Sequence, residues 1–250
     1  MLLSNNQKAF LSLVRAGLWE KEACLSQLGD IEFNEIYRLA QEQSVIGLVA
    51  AGLERVVDMK VPQDVALQLA GEVLQLEQRN KAMNSFVAQL IDMLRKAEVS
   101  ALLVKGQGVA QCYERPLWRA CGDVDLLLDN DNYEKAIKLL SPIADRFIDH
   151  TVETKHYSIM LENWEVELHG TLHGNISDRI DAVIDSTHNK SIRDGEVRTW
   201  TNGGVDIFLP SPDNDIIFIF SHILQHFFHG GIGFNNFVIL HVSYGYLKRK

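Results

Sequence analysis

The sequence predicts an α+β protein, a strand-bearing core set between N-terminal and C-terminal helical regions. Three observations predict it. Apolar residues recur at helical spacing up to about residue 97. The period changes at Val99, where a short apolar run, "VSALLV", leads into glycines. Further on, "KHYSIMLENWEVELHG" alternates apolar and polar twice around Glu162-Asn163, the mark of a β-hairpin.

Residues 1–97 read as helices throughout. The clearest begins after Pro62, a residue tolerated in a first helical turn. Its Leu69, Val73, Leu76, Asn80, Met83, Val87, Leu90 and Leu94 keep a three-four spacing, which defines one long amphipathic helix. That stripe is expected to pack on the shorter helices before it. Next, "VSALLVKGQG" is a strand running into a Gly-bearing turn, and "VAQCYER" reads as a helix. After Pro116 and a loop comes a second strand, "DVDLLL". The segment "DNDNYEKAIKLL" is a helix with candidate caps from Asp129 to Asn132. The hairpin follows. "EVRTW" and "GVDIFL" supply another strand pair through Asn202-Gly203-Gly204. The last helix starts at Ser211-Pro212, a cap followed by proline at the first helical position. The domain reading is a helical region over 1–97, an α+β core over 98–209 and a C-terminal helical segment over 210–250.

With 250 residues, 46% hydrophobic and 23% charged, the composition is that of a soluble globular chain. A net charge of -9 argues against broad binding to nucleic acid, which needs a basic surface. A local basic channel stays compatible with it. Cys24, Cys112 and Cys121 form no CxxC pair, so neither a disulfide nor a zinc-thiolate site is expected. The start, "MLLSNNQKAFLSLVRAGLW", lacks the apolar core and small-residue site of a signal peptide. "IIFIFSHILQHFF" is too short and too rich in histidine to span a bilayer. A cytoplasmic location is the expectation.

The segment "RACGDVDLLLDN" carries the chemistry. Asp123 and Asp125 stand two apart on a strand, so both carboxylates leave the same face. Such like charges raise each other's pKa unless something positive lies between them. In the hairpin, a two-residue turn pairs Leu161 with Trp164, Met160 with Glu165, Ser158 with Glu167 and His156 with His169. Tyr157, Ile159, Leu161, Trp164, Val166 and Leu168 make the apolar face; His156, Ser158, Glu165, Glu167 and His169 make the polar one. The polar face reads either as the solvated side of an antiparallel sheet or as the source of a third carboxylate beside the Asp pair. The second arrangement suits Mg²⁺ or Mn²⁺. Upstream, Lys105, Gly106, Gln107 and Gly108 stand between strand and helix, where a phosphate can approach backbone N–H groups. They do not form a Walker A motif, and such a turn often only redirects the chain.

Taken together, "LLVKGQGVAQCYERPLWRACGDVDLLL" followed by "VELHG" resembles the nucleotidyltransferase superfamily of DNA polymerase β-like fold. The nearest likeness is to the bacterial branch called nucleotidyltransferase family 5. The matching elements are Lys105-Gly106, Tyr113, Arg119 with Gly122 to Leu127, and Glu167-Leu168-His169. The resemblance implies a mixed-sheet core and a catalytic, metal-ligating role for Asp123, Asp125 and Glu167. It further implies two divalent ions, Mg²⁺ or Mn²⁺, and transfer of NMP from an NTP such as ATP to a hydroxyl-bearing acceptor. Lys105 to Gly108 and Arg119 would then meet the nucleotide. Glu167 departs from the Asp common in the wider superfamily. The family usually continues into further C-terminal helices, whereas this sequence stops after "FNNFVILHVSYGYLKRK".

Two other readings compete with catalysis on a small molecule. One is a catalytically silent nucleotide-binding or regulatory protein of the same fold; the other is a toxin-like enzyme that nucleotidylates a protein or RNA. His156 and His169 are candidates for supporting or acceptor-side roles. His222 and His226, four apart with His229 close behind, have zinc-ligand spacing. Ile223, however, stands where a zincin carries Glu, and no acid is in register.

Overall fold

The computed structural model describes residues 3–231 and 233–248. The chain divides into two compact units. One takes the chain up to Ala82 with Tyr113–Ala120 and Gly233–Asn235; the other takes Met83–Cys112 and the remainder.

The first unit is helical. Helix α1 (Asn5–Trp19) opens with a capping box, in which the Ser4 hydroxyl accepts from the Gln7 N–H and the Gln7 side chain accepts from the Ser4 N–H. Helices α2 (Phe33–Glu42) and α3 (Ile46–Leu53) follow. Glycines let α1 and α3 touch backbone to backbone. A Cβ on Gly17 would lie 2.0 Å from the Leu48 carbonyl oxygen, and one on Gly52 would lie 2.1 Å from that of Leu13. Helix α4 (Gln63–Lys96) is the long helix that the apolar stripe predicts. Asn80 sits in that stripe at 0% exposure. Its side-chain amide donates to the carbonyls of Leu117 (2.8 Å) and Arg119 (2.7 Å), so a polar residue occupies an apolar position by serving two backbone acceptors.

The stripe does not pack on the N-terminal helices alone. From Met83 onward its Phe86, Val87, Leu90, Ile91 and Leu94 join the core of the second unit, beneath a sheet. That sheet supplies the larger apolar surface, which the stripe by itself did not reveal.

The second unit continues with β1 (Leu102–Val104), α5 (Gly106–Ala110), β2 (Asp123–Leu127), α6 (Asn130–Leu140), β3 (Arg146–Thr151), β4 (His156–Leu161) and β5 (Trp164–His169). Then come α7 (Asp178–Ile192), β6 (Val197–Asn202), β7 (Val205–Pro210), α8 (Pro212–His229) and α9 (Phe234–Lys248). Five strands form one mixed sheet in the order β1-β2-β5-β4-β3. The β2/β5 pair is parallel, and the other neighbours run antiparallel. Strands β6 and β7 pair separately, as expected from the Asn202-Gly203-Gly204 turn. The hairpin register is the expected one, with Glu162 and Asn163 both at positive φ (49° and 71°) in the turn.

Three expectations are corrected. "VAQCYER" is helical only at Val109 and Ala110: α5 runs from Gly106 to Ala110 and ends well before Pro116, which would itself stop a longer helix. The helix opening at Ser211-Pro212 is not the last, since α9 follows it. Strand β3 and helix α7 were not anticipated. Among the described residues, no helix is long and apolar enough to cross a membrane.

The two faces of the sheet differ. One carries Leu103, Val124, Leu126, Ile159, Val166 and Leu168 against the second half of α4 and against α6. The other is apolar only in part, where Ile184 of α7 and Phe218 of α8 pack with Leu102, Val104 and Leu127. Its remaining positions are polar apart from Met160.

Candidate active site

Strand alternation places Asp123 and Asp125 on that second face, and the parallel register sets Asp125 beside Glu167. Donor oxygens of Asp123, Asp125 and Glu167 all lie within 4.8 Å of one another. Glu165, opposite Asp123, does not join them; it accepts a hydrogen bond of 2.9 Å from the Ser158 hydroxyl. The three acids named from the sequence therefore converge.

Lys105 reaches this cluster by an uncommon backbone route. Its φ of 54° puts a β-carbon-bearing residue where glycine is normally found, and its ammonium lies 2.8 Å from Asp125 Oδ1. The Lys105 ammonium is thus held in a nearly buried ion pair. Gly106 is pressed behind β2, where a Cβ would stand 3.1 Å from the Asp123 carbonyl oxygen. Gly108 is fixed from the other side, its carbonyl accepting from Arg198 at 3.2 Å while Arg198 pairs with buried Asp215 at 2.8 Å. Gln107 is buried, its amide nitrogen 3.0 Å from the Met83 sulfur. Of the stretch Lys105 to Gly108, Lys105 alone lines the neighbouring cleft.

That cleft has a volume of about 380 Å³ and is walled by Lys105, His156, Glu167, His169, His222 and His226 among others. His169 Nε2 lies 2.9 Å from Asp125 Oδ1 and 3.3 Å from Glu167 Oε2. His156 Nε2 lies 3.5 Å from the same Glu167 oxygen. Lys105 supplies positive charge of the kind the like-charged acids require, and both imidazoles stand beside Glu167.

The electrostatics follow from burial and neighbours. Asp123 is pushed up to about 6, first by burial and then by the charges of Asp125 and Glu167. Burial acts to raise Asp125 too, but Lys105 and His169 beside it hold it below its ordinary value. Glu167 is likewise held well below the carboxylate range, its burial outweighed by hydrogen bonds with His156 and His169. For Lys105, burial pulls downward and the adjacent Asp125 wins, so its value is raised. His156 is raised, chiefly by its hydrogen bond with Glu167.

Arg119 belongs to the first unit, where its carbonyl receives the Asn80 amide. His222 and His226 face each other, Nε2 to Nε2, at 3.0 Å. Burial pushes His222 down to about 3, aided by the charges of Lys105 and His226, so its ring is neutral. They join no third metal-ligating group among the described residues, and the His229 side chain lies outside them. Thr151, Thr154, His173 and Gln225 also line the cleft and were not singled out from the sequence. Thr151 ends β3, Thr154 and His173 lie in loops and Gln225 is on α8, where no spacing rule marks them.

The acid cluster fits a hard divalent ion. All three donors are carboxylate oxygens, and octahedral ligation at ~2.0–2.1 Å spaces its donors about 2.9–4.1 Å apart, within the span observed here. The contacts of Lys105 and His169 to Asp125 both fall on Oδ1, and Asp123 is raised first by burial and then by the charges of Asp125 and Glu167.

A mixed sheet bearing three acids on adjacent strands, beside a lysine on a glycine turn, defines a nucleotidyltransferase-type core. The chain belongs to the family described as uncharacterised nucleotidyltransferases, whose model matches residues 29–242. This bears out the resemblance read from the sequence. A solved structure, that of an antigenic nucleotidyltransferase-like protein from Paracoccidioides brasiliensis, is similar at 15% identity and a TM-score of 0.40, over 65% of this chain and 74% of that one. Comparison with curated proteins gives no match.

Proposed function

We propose that the chain is a metal-dependent nucleotidyltransferase that moves NMP from an NTP to a hydroxyl-bearing acceptor. The observation that carries this reading is the convergence of Asp123, Asp125 and Glu167 beside Lys105 at the cleft. In the reaction the acceptor oxygen bonds to the α-phosphorus, the bond to the β-phosphate oxygen breaks, and pyrophosphate leaves with the displaced electron pair. Asp123, Asp125 and Glu167 would hold Mg²⁺ or Mn²⁺, which supplies Lewis acidity that neutralises phosphate charge and acidifies the acceptor hydroxyl. Lys105 exchanges Asp125 for a phosphate oxygen as a point charge. Gly106, Gln107 and Gly108 form the tight turn that aims it. His169 and His156 keep Glu167 ionised and oriented. The acceptor proton passes to a carboxylate or to solvent.

A second reading, a silent nucleotide-binding protein, is favoured by one feature: Lys105 already pairs with Asp125, and His169 Nε2 occupies the same oxygen. One experiment separates the two. Pyrophosphate release and acceptor mass are followed with each NTP and Mg²⁺, for the parent chain and for Asp125→Ala. Catalysis predicts release by the parent and none by the variant. NTP binding without release across a broad acceptor panel assigns the silent role. Near-normal release by Asp125→Ala overturns the carboxylate assignment.

A further inference from the structure

We propose that His156, Glu167 and His169 form a second metal position, nitrogen-rich, suited to a borderline cation such as Zn²⁺ or Co²⁺ and not to Mg²⁺. It differs in donor chemistry from the carboxylate set, with which it shares Glu167. The donor atoms of the three residues lie within 4.8 Å of one another. Glu167 Oε2 is 3.5 Å from His156 Nε2 and 3.3 Å from His169 Nε2. Charge-assisted hydrogen bonds settle nearer ~2.7–2.9 Å. The observed spacings match the edge of a ligand tetrahedron, since bonds of ~2.0–2.2 Å set adjacent donors roughly 3.3–3.6 Å apart.

The surroundings agree. Two imidazoles and a carboxylate, with one position left to water or substrate, is a donor set used by catalytic zinc. All three residues line the cleft, so the open position faces it. Imidazole nitrogen suits Zn²⁺ and its neighbours, whereas Mg²⁺ demands oxygen. Behind His156, Asp149 Oδ2 stands 3.7 Å from Nδ1, where a carboxylate can orient the ring.

His169 couples the two positions. Its Nε2 is the atom that lies 2.9 Å from Asp125 Oδ1, and it cannot both hold a proton against Asp125 and donate its lone pair to a cation. Occupation therefore withdraws the His169 contact from Asp125 Oδ1 and leaves that oxygen more available to the oxygen-only set. The inference rests on donor geometry and stands whether or not the chain transfers a nucleotide.

The test titrates Co²⁺ alone into the full chain and into His156→Ala and Asp123→Ala. The readouts are visible d–d absorption and paramagnetically shifted, exchangeable imidazole N–H signals in proton NMR. The parent should give the intense bands of low-coordinate cobalt with two shifted imidazole signals, both persisting in excess Mg²⁺. His156→Ala should lose one signal and weaken binding by at least the ~10–100-fold that loss of even an outer partner costs. Asp123→Ala should keep both signals. Pale octahedral bands without imidazole signals, or cobalt binding equal in His156→Ala and the parent, overturns the proposal. The parent's signals decide the matter if a variant fails to fold. Cobalt binding intact in a chain that releases no pyrophosphate removes the transferase reading and leaves this one.

Discussion

Lys105 Nζ and Asp125 Oδ1 lie 2.8 Å apart, and the lysine holds that contact from a backbone φ of 54°. Asp125 has a lowered folded pKa, so its share of stability is present above its unfolded value and is lost as pH falls through the depressed one. Lys105 has a raised folded pKa, so its share is present at neutral pH and is lost only as pH rises through that value. Lys105→Met in metal-free buffer should therefore cost about 3–5 kcal/mol at pH 7, the range for breaking a buried pair from one side. The loss should shrink at pH 4.5, where Asp125 in the variant takes up a proton. Lys105→Gly should lose less than Lys105→Ala, because glycine accepts the positive φ. Urea denaturation at both pH values checks this; an equal loss at each would remove the pair as the cause.

Asp123 carries the opposite sign. Its folded pKa of about 6 exceeds the unfolded one, so it destabilises progressively as pH rises from the unfolded value and fully above 6. Asp123→Asn should raise stability at pH 7 without metal by about 1–2 kcal/mol, after allowance for partial exposure. The gain should vanish near pH 4. Adding Mg²⁺ should stabilise the parent more than the variant, since an ion bound only to the folded state adds stability by mass action. Thermal melts across pH, with and without Mg²⁺, are the measurement; a variant less stable than the parent in metal-free buffer at pH 7 contradicts it.

The Arg198–Asp215 pair fixes the glycine turn from behind. Both side chains are largely buried, and Arg198 also donates to the carbonyls of Gly108 and Pro210 at 3.2 Å. Arg198→Met should cost about 3–5 kcal/mol, and adding Asp215→Leu should recover part of it, because an apolar pair leaves no stranded charge. Guanidinium melts of the single and double variants test this. No recovery in the double variant would assign the loss to the two carbonyl contacts.

Asn80→Leu should destabilise the first unit despite improving the apolar stripe. The change strands the carbonyls of Leu117 and Arg119, at about 1–3 kcal/mol for each buried acceptor. A midpoint unchanged in urea would show that water satisfies those carbonyls.

What the sequence made legible was whatever obeyed a period. The hairpin register followed from alternation and a two-residue turn, which put Glu167 on the polar face; that it joins the Asp pair was implied by the family resemblance and left open by the spacing. Helix α7 escaped because its buried stripe is Ile184, Thr187 and Ser191, so polar residues hold two of the inward positions. Strand β3 escaped because it is an exposed edge with no inward face to mark. The shared face of Asp123 and Asp125 was readable, since strand geometry fixes where those side chains emerge. The partnership of Lys105 with Asp125 was not, because it depends on a positive φ that spacing does not encode in a lysine.

The parallel pairing of β2 with β5 also governs assembly in time. Asp125 and His169 stand 44 residues apart, whereas β4 and β5 are joined by two residues and can close in about 1–10 μs. The hairpin can thus form while its carboxylates are still far from those of β2. Repulsion between Glu167 and the two aspartates of β2 enters only at the later, non-local closure, the kind of step that topology makes slow. A divalent ion present during refolding would act on that closure and leave the hairpin untouched, so the strand connectivity sets when in folding the acids first meet.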